Sequence, residues 1–250
     1  MIGEKQIGRI AVLTLAHGKA NALDIELCGE IARRFDELAA SDVRAVIVTG
    51  TGRMFSAGVN LVRLLDGGAA YVREFIPVLE QAFRSVFFCP KPVIAAVNGH
   101  AIAGGCVLAC AADRRLMARD AGRIGVTELL VGVPFPPMAF EVMRFAVPHR
   151  FFAEVMFGAA TYPTDQGAAR GLVDEVVEPA SLHEQAMAAA ESLAALPPAA
   201  FALMKQQVRQ PVQDQLSRHG EAFNAAATDL WTDPETATVI RDYVSRTLKK

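Results

Sequence analysis

The tightest constraint on the fold lies in residues 92–113. A β-branched run, Pro92-Val-Ile-Ala-Ala-Val97, leads into Asn98-Gly99-His100-Ala101-Ile102-Ala103-Gly104-Gly105, and an alanine- and cysteine-bearing apolar segment runs on to Asp113. That order predicts a buried strand, a glycine turn and a buried helix. Glycines at a helix start admit close backbone approach, and the first N–H groups there have no intrahelical partner. Such donors suit an oxyanion or a phosphate. Taken alone, Gly104-Gly105 reads first as tight helix–sheet packing.

The rest of the chain supplies a layered α/β context. Arg9–Leu15 alternates as a strand, and Asp24 is placed to cap a helix reaching about Ala40, with Leu27, Ile31, Phe35 and Leu38 at helical spacing. Val43–Thr49 is a second core strand, ended by Gly50-Thr-Gly52. Residues 69–88 carry helical spacing, interrupted at Pro77, where a kink or two pieces is expected. Arg115–Ala118 and Leu172–Val177 read as strands, and 125–132 as an irregular loop. Helices are expected at about 137–145, 150–157 and 164–171. Everything after Ser181 is helical and alanine-rich, with breaks expected at Pro197-Pro198, Pro211 and Pro234. The composition shift near residue 190 divides an α/β core, 1–190, from a helical trimerisation or lid region, 191–250.

A chain of 250 residues with a net charge of −2 and no long run of one sign favours neither nucleic acid nor an anionic membrane as partner. Cys28, Cys89, Cys106 and Cys110 form no zinc-type spacing, so the expectation is no metal and four reduced thiols in a reducing compartment. No basic-then-apolar leader is evident, and a cytoplasmic location is expected. The apolar run from Val93 to Ala112 carries Asn98, His100 and three glycines at its centre, which argues against a membrane span. No G-x-G-x-x-G follows a strand, and Gly99-x-x-x-x-Gly104 lacks the Lys-Ser/Thr of a P-loop.

Several pieces together resemble the crotonase (enoyl-CoA hydratase/isomerase) superfamily. They are Lys19-Ala-Asn-Ala-Leu23, Val46-Ile-Val-Thr-Gly50, Phe55-Ser-Ala-Gly-Val-Asn-Leu61, the 91–105 stretch, Asp113 and Gln166-Gly-Ala-Ala-Arg-Gly-Leu-Val-Asp174, in order over about residues 5 to 205. The resemblance implies a spiral of β–β–α turns with a C-terminal helical region, assembled as a trimer or dimer of trimers. It implies a coenzyme A thioester as substrate and no separate cofactor. By the same match, the backbone N–H groups of Val59 and Gly104 form an oxyanion hole. Lys19, Ala20, Ala22, Ala57, Asn60 and Leu61 face the CoA moiety.

The resemblance also assigns the carboxylates. The position of the first hydratase glutamate is Val107, and that of the second is Glu128, so one carboxylate remains. A buried glutamate in apolar surroundings is a better base near neutrality. The same residue type in a loop is equally read as solvated surface. One glutamate suits a double-bond shift; hydration usually benefits from two. The expectation is therefore an isomerase-type enzyme, with hydration second and non-catalytic acyl-CoA binding, favoured by Val107, as the alternative of another class. RNA binding is disfavoured by the charge balance. Val107, Phe135, Met138, Glu141 and His100 are candidate acyl-pocket residues, each also readable as core or structural. Lys249 and Lys250 read as a solvated tail, or as reaching a CoA phosphate of a neighbouring subunit.

Overall fold

The structure, a computed structural model, describes residues 1–247, so Lys249 and Lys250 lie outside the described residues. In chain order, β1 (Ile2–Ile7) and β2 (Ile10–Leu15) form an antiparallel hairpin, followed by α1 (Ile25–Ala40). Three strand–strand–helix units come next. They are β3 (Ala45–Gly50), β4 (Met54–Ser56) and α2 (Leu61–Phe87); then β5 (Val93–Val97), β6 (His100–Ile102) and α3 (Gly104–Cys110); then β7 (Arg114–Ala118), β8 (Arg123–Gly125) and a 3-10 turn, Glu128–Val131.

In each unit the first strand joins one sheet and the second strand joins another. The main sheet has the order β1-β2-β3-β5-β7-β10, where β10 is Glu175–Val177, and is parallel from β2 onward. The second sheet has the order β4-β6-β8-β9, where β9 is Thr161–Pro163. This is the spiral of β–β–α turns that the resemblance implied. The strands Val93–Val97 and Ala45–Val48 are fully buried, as expected for parallel strands covered on both faces.

Helices α4 (Pro137–Ala146), α5 (His149–Gly158) and α6 (Thr164–Ala169) follow, then α7 (Leu182–Ala194), α8 (Pro198–Trp231) and α9 (Pro234–Thr247). Residue 190 falls inside α7, whose Leu182, Ala186, Ala189 and Ala190 pack on the main sheet. Helices α8 and α9 instead pack on α2 and α4.

Two expected breaks are corrected. Helix α2 begins at Leu61, and its non-helical residue is Gly68, at φ 59° and ψ −157°, not Pro77. Helix α8 runs through Pro211. Proline there leaves the carbonyl of Gln207 without its helical donor, on an exposed stretch open to solvent.

Candidate active site

Two loops meet above the second sheet, and backbone geometry decides which way their donors point. Leu23 N–H donates to Gly58 O (2.8 Å) and Asn60 N–H donates to Leu23 O (2.9 Å). Peptide units are trans, so with Gly58 O turned toward Leu23 the Val59 N–H points the opposite way. The same reasoning applies at α3. Ala103 O accepts from Cys106 N–H (2.8 Å) and Val107 N–H (3.1 Å) inside the helix, so Gly104 N–H points out of its N-terminus. Among the described residues neither N–H has a hydrogen-bond partner. Both residues line one cavity of about 300 Å³.

Glycine makes this approach possible. A Cβ on Gly58, which has φ +82°, would lie 2.6 Å from Ile102 O and 3.0 Å from Gly104 N. A Cβ on Gly105 would lie 2.3 Å from Ser56 O. Ala103, between the second sheet and α3, holds φ 53° and ψ −126°, a region that an L side chain rarely adopts. It is held there by Ala103 N–H to Gly125 O (2.8 Å) and by the two helical bonds to its carbonyl. Asn21 ties the loops together: its Nδ2 donates to Met54 O and Phe55 O, and its carbonyl accepts from the buried Ser56 hydroxyl at 2.7 Å. Ala57 N–H adds a bond to Ala20 O (3.0 Å).

Glu128 opens the 3-10 turn and faces the same cavity. It is 9% exposed, and its Oε2 is buried without a partner. Burial pushes the carboxyl up to about 7, against the pull of the backbone N–H groups of Glu128 and Thr127. The remaining walls are mainly apolar: Leu79, Phe83, Val107, Val131, Val133 and Trp231 are among them. Glu128 is the cavity's one carboxylate among the described residues. Two unpartnered donors on one cavity can hold the charge that develops on a carbonyl oxygen, and a carboxylate poised near neutrality can take a proton from the carbon next to it.

The cavity gathers Ala20, Ala22, Ala57, Val59, Asn60, Leu61, Gly104, Val107, Glu128 and Phe135 of the expected residues. Asn60 Oδ1 also caps α2, accepting from Arg63 N–H at 3.2 Å. Four others lie elsewhere. Lys19 is exposed and outside the lining. Met138 is core, its N–H donating to Glu80 Oε1 at 2.9 Å. His100 accepts from Arg123 N–H through Nδ1 (3.2 Å), the structural role. Glu141 pairs with Arg144 at 3.2 Å and lines a second cavity.

Sequence reasoning missed Trp231 and Tyr243, which close the cavity from α8 and α9. Trp231 is the chain's one tryptophan, and its indole N–H donates to Pro134 O at 2.8 Å. A lone tryptophan ending a polar helix was the available signal.

Comparison with known proteins gives one consistent result. A sequence model described as enoyl-CoA hydratase/isomerase matches residues 5–241. A putative enoyl-CoA hydratase of Thermus thermophilus is 33% identical over 204 residues, 80% of each chain. A short-chain-enoyl-CoA hydratase of Clostridium acetobutylicum is 32% identical over 247 residues, 96% of this chain and 94% of that one. Human mitochondrial delta3-delta2-enoyl-CoA isomerase superposes with a TM-score of 0.93 over 99% of this chain and 98% of its own; at 21% identity that likeness concerns the fold. A Mycobacterium tuberculosis protein, named an enoyl-CoA isomerase with one structure and a probable enoyl-CoA hydratase with another, superposes at 0.79, with 29% identity, over 90% of this chain and 97% of its own.

Proposed function

Because the chain belongs to the enoyl-CoA hydratase/isomerase family, we propose that it shifts the double bond of an enoyl-CoA thioester, with Glu128 as its single acid–base group. A 3-enoyl thioester is most acidic at C2, between the carbonyl and the double bond. Glu128 takes that proton. The electron pair moves into a dienolate whose oxygen accepts hydrogen bonds from Val59 and Gly104 N–H. The same carboxyl returns the proton to C4, a C2–C3 double bond forms, and Glu128 ends as it began.

The observation that carries this reading is that, among the described residues, Glu128 is the one carboxylate lining an apolar cavity with two unpartnered backbone donors. Val107 gives nothing to orient a water. Ala20, Ala22, Ala57, Asn60 and Leu61 serve the CoA side in this reading. A trimer or dimer of trimers in the cytoplasm belongs to it too, and the exposed Leu203, Met204 and Val208 on α8 offer an apolar face for assembly. A second reading, hydration of 2-enoyl-CoA, is favoured by the activities for which the Thermus and Clostridium relatives are named.

Offering 3-enoyl-CoA and 2-enoyl-CoA separately and following each product separates the two. The expected result is 2-enoyl-CoA from the first and little 3-hydroxyacyl-CoA from the second. Glu128→Gln should lower turnover on the order of 10²–10⁴-fold, the usual share of a positioned general base. Undiminished turnover in that variant contradicts the assignment, and 3-hydroxyacyl-CoA as main product supports hydration.

A further inference from the structure

Residues 134–137 form a wall shared by the Glu128 cavity and a second one. They do so in an alternating way. Pro134 and Pro137 line the second cavity and Pro136 lines the first, while Phe135 lines both. Helix α4 continues the partition, with Ala139 on the first side and Phe140 on the second. Helix α8 floors both, with Trp231 on the first side and Ala227, one turn earlier, on the second. The second cavity measures about 290 Å³, nearly the volume of the first. It opens past Phe223 and Leu230, which are 64% and 51% exposed.

We propose that the second cavity receives the distal part of a long, unbranched acyl chain, with the Phe135 side chain as the gate, so that the substrates are long-chain enoyl-CoA thioesters. This rests on the reading of the first cavity as an acyl-CoA site. Three prolines in four positions hold the backbone of the wall, because each fixes its own φ. Passage then depends on the Phe135 side chain, which is only partly buried. The aromatic and aliphatic walls, Phe140, Leu216, Phe223 and Leu230, match methylene groups. Glu141 and Arg144 on the wall pair with each other at 3.2 Å, and His219 and Gln215 are its other polar side chains.

The test uses saturated acyl-CoAs from C4 to C16, titrated into the full-length Glu128→Gln protein by calorimetry, so that no turnover is needed. Each methylene buried past Phe135 should tighten binding about fourfold or somewhat less. In this background, affinity is expected to keep rising through C12 to C16. Ala227→Phe, which fills the second cavity, should cut the C16-to-C6 affinity ratio at least tenfold, and Phe135→Trp should do the same. Phe135→Ala keeps the test meaningful if either bulky variant misfolds, since it should raise that ratio. Affinity that levels off at the same short chain in all variants overturns the proposal. So does chain-length independence accompanied by a second copy of the protein seated on Phe223 and Leu230, seen as a mass that rises with concentration and falls in Phe223→Ser. Failure to bind any acyl-CoA overturns this proposal together with the acyl-CoA reading, whereas binding without any double-bond shift in the wild type leaves this one standing.

Discussion

At the scale of a single residue, Glu128 carries most of the proposed chemistry, and its burial sets two opposed pH effects. As base it must be ionised, so kcat/KM is expected to fall about tenfold per pH unit below an apparent value near 7. As a buried group it lowers stability. Its ordinary value is 4.5 and its folded value about 7, so between those pH values the folded state binds a proton that the unfolded state does not. Stability therefore falls as pH rises through that window, and the full cost, on the order of 3 kcal/mol, is present above it. Glu128→Gln should be the more stable protein at pH 8 and lose that advantage toward pH 4.5, as followed by urea unfolding. A variant less stable than wild type at pH 8 would show that the carboxylate has compensating partners. Nothing in Gly125-Val-Thr-Glu-Leu-Leu-Val-Gly132 announced the burial of Glu128, because a short 3-10 turn has no hydrophobic period; only resemblance pointed to it. His100 and Met138 line neither cavity for the complementary reason: position near a motif does not say which way a side chain turns.

At the scale of elements, the long buried pieces were legible and the short ones were not. Strands β2, β3, β5 and β7 carry apolar runs, and α1 begins at its capping Asp24, whose Oδ1 accepts from Leu27 N–H at 2.9 Å. The second sheet is built of three-residue strands, too short to show a period of two. Strand β1 is an edge with a polar interior, so alternation is absent there as well. The junction of β6 with α3 is where local preference and structure disagree, because Ala103 stands at φ 53°. Relieving such strain is worth about 1–3 kcal/mol, and glycine costs about 0.5–1 in chain entropy. Ala103→Gly should thus raise Tm by a few degrees. A lowered Tm would mean that contacts of the Ala103 methyl outweigh the strain. Gly58→Ala should do the reverse, losing both stability and activity, because its Cβ would collide with Ile102 O at 2.6 Å.

The whole molecule makes the cavity, since successive β–β–α turns supply Val59, Gly104 and Glu128, and the two last helices supply Trp231 and Tyr243. The turns were readable through joint motifs and the C-terminal helices as a region, but not which of their residues line the cavity, because these are single aromatics on otherwise polar helices far along the chain. Among the described residues no single helix is long and apolar enough to cross a membrane. The central claim is that one buried carboxyl carries a proton from C2 to C4. It is tested most directly with 3-enoyl-CoA bearing deuterium at C2, following the position of the label in the first turnovers. The expected result is 2-enoyl-CoA with part of the deuterium at C4, since a carboxyl shielded from water returns the isotope before exchanging it. A product with no label at C4 from the first turnover onward, or a 3-hydroxyacyl-CoA in its place, would contradict the account.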